Sequence, residues 1–193
     1  MTNDTTDFSW VEHFYSLFLS RDICILFGGG LLICAVEFAM WEKIFLPKEL
    51  SLELIGFLLV SYFLGLAISE LGDWFNILGE MKLPEGYQSF FLFIQDMTEN
   101  YNDNVLNRYE RYIFVMNAGK IVGLSSLFGA VVIIMFALIR FIFNTKIPTV
   151  EYILLVFSLL IYGAFMIFDS RKSYKIIRET QDSLAIEIKS KLG

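Results

Sequence analysis

The sequence carries one histidine, His13, and two cysteines, Cys24 and Cys34, both inside a single apolar run. No H-E-x-x-H pair or Cys/His cluster can form from so few, so metal centres of those kinds are excluded. Thiols in such a run behave as small hydrophobes rather than as a structural disulfide. The sequence also has no G-x-S-x-G elbow, no Walker loop and no dinucleotide-type glycine pattern. The corresponding nucleophilic and nucleotide chemistries are therefore not expected. No catalytic residue, cofactor or metal is expected. Cations are outnumbered, with Lys and Arg at 15 against 21 Asp and Glu, a formal charge of -6. Direct nucleic-acid binding needs clustered cations and is not expected. Proline is confined to Pro47, Pro84 and Pro148, which leaves long stretches without a helix breaker. Residues 1–22 set Asp4, Asp7, Glu12 and Asp22 against Arg21, the reverse of a basic signal-peptide start. A secretory signal, an acylated lipoprotein cysteine and a myristoylated glycine are not expected there.

What the chain has in quantity is apolar surface. It is 56% hydrophobic, with a mean hydropathy of +0.59, too high for an ordinary soluble domain of this size. Four runs are long enough to cross a bilayer: about Ile23–Trp41, Leu52–Leu71, Ile121–Ile142 and Tyr152–Phe168. The expected fold is all-α, a four-span transmembrane helical bundle with cytosolic helical extensions. Its parts are an N-terminal amphipathic helix in 1–22, a transmembrane hairpin in 23–71, a cytosolic insert in 72–120, a second hairpin in 121–168 and a charged tail in 169–193.

The stretch Asn104–Phe143 organises these parts. It begins polar, with Asn104, Asn107, Arg108, Glu110 and Arg111, turns apolar after Lys120 and stays so to Arg140, and is free of proline. As one helix it would be about 60 Å long, twice a hydrocarbon core of roughly 30 Å. It therefore reads as a rod that rises from water and crosses the lipid. Before it, Leu83-Pro84-Glu85-Gly86 is a turn. Tyr87, Phe90, Phe91, Ile94, Met97 and Tyr101 follow at helical spacing. Near the start, Ser9 and Glu12 have capping-box spacing. Trp10, Val11, Phe14, Tyr15 and Phe18 then form an apolar stripe, suited to the membrane surface or to the end of the bundle. In the tail Tyr174, Ile177, Leu184 and Ile188 make a stripe that Gln181 interrupts.

Cations set the orientation. Arg21, Lys82, Arg108, Arg111, Lys120 and the tail from Arg171 to Lys191 fall on one side. Lys43, Lys48, Arg140 and Lys146 fall on the other. Both termini and the central insert are therefore expected in the cytosol, with the chain in the inner (cytoplasmic) membrane.

Few residues stand out for chemistry. Glu37 lies within the first span, where a carboxylate faces a bundle interior or a water-filled cavity, or else snorkels near Trp41. Arg140, at the outer end of the third span, either pairs with Glu37 or snorkels. Arg108, Tyr109, Arg111 and Tyr112 form the densest polar cluster. They suit a partner's carboxylates or an anionic ligand, or else form a solvated face paired to Glu99 or Asp103. Gly28, Gly29 and Gly30, with the Gly119–Gly123 pair, suit close helix contact, within one subunit or between copies.

The four-span plan, with its cytosolic ends and its insert entering the third span through Asn107-Arg108-Tyr109-Glu110-Arg111-Tyr112, resembles the small membrane subunits of prokaryotic anti-phage defence systems. It most resembles the membrane subunit of the Kiwa system. The resemblance is one of architecture over the whole chain. It implies a homo-oligomeric membrane sensor that works with a cytosolic effector, and it carries over no catalytic residue. The leading expectation is thus a non-enzymatic sensor or scaffold that docks a soluble protein. The alternatives are an oligomeric ion-conducting pore lined by Glu37 and the first-span glycines, and a bundle with no partner.

Overall fold

The computed structural model describes residues 9–47, 49, 51–78, 84, 87–101, 103–143 and 149–192. Those residues contain five helices and no strand: α1 (Ser9–Trp41), α2 (Leu52–Trp74), α3 (Phe90–Asn100), α4 (Asp103–Ile142) and α5 (Val150–Leu192). The all-helical architecture expected from the sequence is present. Helices α1, α2, α4 and α5 are each long and apolar enough to cross a bilayer. The long rod is unbroken over 40 residues.

Local chemistry sets several of the ends. Ser51 and Ser89 cap α2 and α3, their hydroxyls accepting from the Leu54 amide at 3.4 Å and the Leu92 amide at 3.3 Å. Past the end of α2, Asn76 takes a left-handed φ of 50°, which asparagine tolerates better than most residues. The Ile77 amide can then reach the Gly72 carbonyl at 3.1 Å, the closing bond of a Schellman-type stop. The Pro84 carbonyl accepts from the Tyr87 amide at 3.2 Å. The rest of the turn expected at Leu83-Pro84-Glu85-Gly86 lies outside the described residues.

Two boundaries differ from expectation. α1 runs without a break from Ser9 through the first span, so residues 9–22 are not a separate helix lying on the membrane. Its spanning part has no proline to stop it, and its lower turns find a second use, since Leu17 is buried in a core with residues of α3, α4 and α5. α5 likewise continues from the fourth span into the tail over 43 residues.

Packing explains the arrangement. α4 touches the other four helices, α2 lies against α1 and α4, and in the lipid-level region α5 lies against α4. In the apolar segments only 17% of α2 and 11% of α5 is buried, against 44% of α4. The uncovered faces carry Ile55, Leu59 and Phe63 on α2, and Phe157, Ile161, Phe165 and Phe168 on α5. Water does not tolerate that much contiguous hydrocarbon, whereas acyl chains cover it. The chain is a multi-pass membrane protein.

Three cores follow one another along the bundle. The first joins Ala35, Ala39, Ile133 and Tyr152. The second joins Cys24, Ile25, Ile68, Ala118, Ile121 and Leu124. The third is the largest and lies where α1, α4 and α5 leave the apolar zone and meet α3, around Phe93, Met97, Leu106, Tyr109, Ile177 and Ile188. The start of α1, the central insert and the tail therefore share one end of the molecule, as the four-span count requires.

Candidate functional site

The third core makes a folded module at one end of the bundle, and it decides which side chains of the 104–112 cluster face outward. Tyr109 turns inward. Its ring lies 6.1 Å from that of Phe93 and 6.5 Å from that of Phe90, and only 3% of it is exposed. The Gln181 amide donates to its phenol oxygen at 2.6 Å. Gln181 is therefore no flaw in the tail's apolar stripe. It is the buried partner of a buried hydroxyl, which would otherwise cost stability. Tyr109, expected to bind a partner, instead holds α4 to α5. Either Tyr109→Phe or Gln181→Leu alone is expected to cost about 1–3 kcal/mol by orphaning the other group. The double variant should lose clearly less than the sum of the two. Thermal unfolding in mild detergent reads the difference, and simple additivity would mean the two groups do not depend on each other.

With Tyr109 inside, its neighbours spread around the helix. Glu110 faces α1, where the Ser16 hydroxyl donates to it at 2.8 Å. Tyr112 is half-buried, and Arg108 and Arg111 are exposed. A groove of about 730 Å³ opens beside them between α4 and α5, with Asn104, Asn107, Tyr112, Ile176 and Thr180 in its walls. Among the described residues neither guanidinium has a carboxylate within ion-pair distance. Glu99, one expected partner, accepts from Gln95 at 3.2 Å, and the Asp103 side chain lies outside the described residues. A tyrosine flanks α3 at each end. Burial and the neighbouring Asp96 carboxylate push the Tyr87 phenol up to about 12. Burial and Glu187 do the same to Tyr101.

The seam between module and spans carries a residue pair that sequence reasoning passed over. The Lys120 ammonium sits 2.7 Å from both carboxylate oxygens of Asp73. The Lys120 side chain is 11% exposed and the Asp73 side chain 58% exposed. Nearby the Ser170 hydroxyl donates to the Met116 carbonyl at 2.7 Å, and Arg171 donates to the Ile77 carbonyl at 3.2 Å. The clue was present. Lys120 and Asp73 end two apolar runs at the same membrane boundary with opposite charges.

At the far end Glu37 and Arg140 do not pair with each other. The Glu37 carboxylate accepts from the Phe45 amide at 2.8 Å and so holds the α1–α2 loop. Arg140 donates to Glu42 at 2.7 Å, to the Tyr152 hydroxyl at 2.6 Å and to the Met40 carbonyl at 2.8 Å. Glu42 stands just past the end of α1 with a left-handed φ of 60°, which brings its side chain back toward α4. Arg140 thereby ties α1, α4 and α5 together.

Four of the five glycines singled out for close contact, within one subunit or between copies, make such a contact inside one chain. Gly29 abuts the Ser61 backbone and Gly65 abuts the Ile25 backbone, so α1 and α2 cross nearly in main-chain contact. Gly28 faces Ile121 and Ser125 of α4, Gly119 faces Met166 and Ser170 of α5, and Gly123 faces Gly163 and Ile167. Gly30 has ordinary room, with the Ser61 hydroxyl 3.6 Å and the Phe57 ring 3.7 Å from where a methyl would sit. Small residues that let backbones approach are the usual means of helix association in lipid. Gly28 and Gly29 are thus packed within the chain, while Glu37, bonded to the loop, borders an open hollow of about 1240 Å³ that Glu49, Ser51 and Glu53 also line.

Fold and site together define a multi-pass helical membrane protein with a small folded module on one face. No known protein family matches the chain, and no curated protein or solved structure matches it either.

Proposed function

We propose that this chain is a non-catalytic scaffold or sensor of the inner (cytoplasmic) membrane, with both termini in the cytosol. It assembles with copies of itself and docks a soluble effector on its module. The observation that carries the reading is the continuity of α1, α4 and α5. Each passes without a break from the apolar zone into the core that holds α3. A shift among the spans is thereby passed to the module as a rigid movement. The excess of Lys and Arg on the module's side supports the cytosolic assignment. The absence of catalytic sequence patterns supports a binding role. The architectural resemblance to defence-system membrane subunits makes anti-phage defence the setting we propose.

Mild-detergent purification from native membranes tests the reading. The expected result is a complex larger than one copy, carrying a soluble protein in fixed proportion. A monomer that brings nothing with it would refute the scaffold role. A plaque assay on cells with and without the chain tests the setting separately.

A further inference from the structure

The groove beside Arg108 and Arg111 has a chemistry of its own. The two arginines are three residues apart on α4, so their side chains leave the helix as neighbours. The one carboxylate between them in sequence, Glu110, is turned to the opposite side by Ser16. Several other cations have a carboxylate beside them: Arg21 has Asp22, Lys120 has Asp73, Arg140 has Glu42 and Lys175 has Glu179. In a chain of net charge -6, two adjacent guanidiniums facing an open groove, with no counter-ion among the described residues, form a local reversal of sign. The N-terminal turn of α4, at Asn104, adds the positive end of its dipole to the same groove. Its walls are mixed, with Val105 and Ile176 apolar, Tyr112 aromatic, and Asn104, Asn107 and Thr180 able to hydrogen bond.

The geometry points to an acidic peptide segment as the ligand of this groove, and this rests on the docking reading above. Two carboxylates of the segment would sit on Arg108 and Arg111, and an apolar side chain further along the same face would lie on Val105 and Ile176. Alternate residues of an extended peptide stand roughly 7 Å apart, close to the separation of side chains one helical turn apart at roughly 5–6 Å. A free oxyanion fits less well. The groove is long and open with apolar stretches in its walls, whereas a phosphate cradle converges backbone amides on one point.

The test uses the full-length protein in detergent micelles. The probe is a fluorescent peptide of about ten residues, glutamates alternating with small residues around one leucine. Its control is the same peptide with glutamine for glutamate. The expected result is saturable binding of the acidic peptide, weakened at least about tenfold by R108E/R111E and strongly reduced by salt. The glutamine peptide should not bind, and inorganic phosphate should not compete beyond its effect on ionic strength. Both arginines are exposed, so the variant should fold. Y112A offers a second, uncharged perturbation of the same wall and is expected to weaken binding by less. Equal binding of the glutamine peptide, indifference to R108E/R111E, or full displacement by phosphate would each overturn the proposal. Failure here stays separable from failure of the scaffold reading. A soluble protein that still co-purifies with R108E/R111E removes the groove and leaves the scaffold.

Discussion

Gly29→Ala is expected to strip most of the folded protein from the membrane, while Gly56→Ala leaves it as it was. Both changes add one methyl group to an apolar helix and both raise helix propensity. They differ in what the methyl meets. At Gly56 nothing lies within 4 Å. At Gly29 it meets the Ser61 carbonyl, with the Gly65 nitrogen also 2.8 Å away. Those are backbone atoms and cannot turn aside as a side chain could, so α1 and α2 must separate along their crossing. Separation removes the close main-chain approach that stands in for a hydrophobic driving force in lipid. A cost above about 3 kcal/mol is expected, in the range reserved for strain in a packed interior. Gly28→Ala should fall between the two, because its nearest obstacle is a side-chain methyl, the Ile121 Cγ2 at 2.7 Å, rather than backbone. Thermal denaturation after size-exclusion in mild detergent gives the ranking. A stable, monodisperse Gly29→Ala protein would mean that the two helices do not cross this closely.

The second large effect belongs to Arg140→Met. Arg140 stands at the end of an apolar run with its side chain 22% exposed, and its partner Glu42 is 33% exposed. Removing the guanidinium leaves the Glu42 carboxylate, the Tyr152 hydroxyl and the Met40 carbonyl without their common donor. Breaking one half of a fully buried pair costs about 3–5 kcal/mol, and partial exposure here should bring the loss down to about 2–3 kcal/mol. The companion variant separates causes. If the penalty is the stranded carboxylate, Arg140→Met with Glu42→Leu should recover much of the loss. If it is the tie between three helix ends, the double variant should stay as poor as the single one. Loosening should also appear first at this end, as faster amide exchange in Met40–Phe45.

The apolar runs told most of the fold, because burial in lipid leaves an unambiguous mark on composition. Asn104–Phe143 was readable as one rod for the same reason, as was the aromatic helix ahead of it. The joints were harder to read. α1 continues below the first span because Leu17 joins a core assembled from α3, α4 and α5, and no local pattern around residue 22 reports contacts made that far along the chain. Gln181 looked like a defect since its partner, Tyr109, sits on another helix. Pairing of this kind becomes visible only when the antiparallel register of α4 and α5 is known. The same register turned Tyr109 away from the surface while leaving Arg108 and Arg111 on it. Glycine spacing indicated close contact correctly but not with whom, because two helices of one chain and two copies of one helix make the same demand on side-chain size. Glu37 and Arg140 stood out in the sequence as charges at apolar runs. Their partners, the Phe45 amide and Glu42, come from loop geometry that hydropathy does not encode.

The unbroken α4 and α5 have a mechanical consequence. About twenty residues of each project beyond the hydrocarbon, an arm of roughly 30 Å. A membrane that becomes thinner makes its helices lean over to hide their apolar length. A lean of about 10° at the seam sweeps the far tip of such an arm sideways by roughly 5 Å, about the width of one strand of polypeptide. On the sensor reading proposed above, small changes in bilayer thickness would be magnified into displacements large enough to open or shut a contact at the tip.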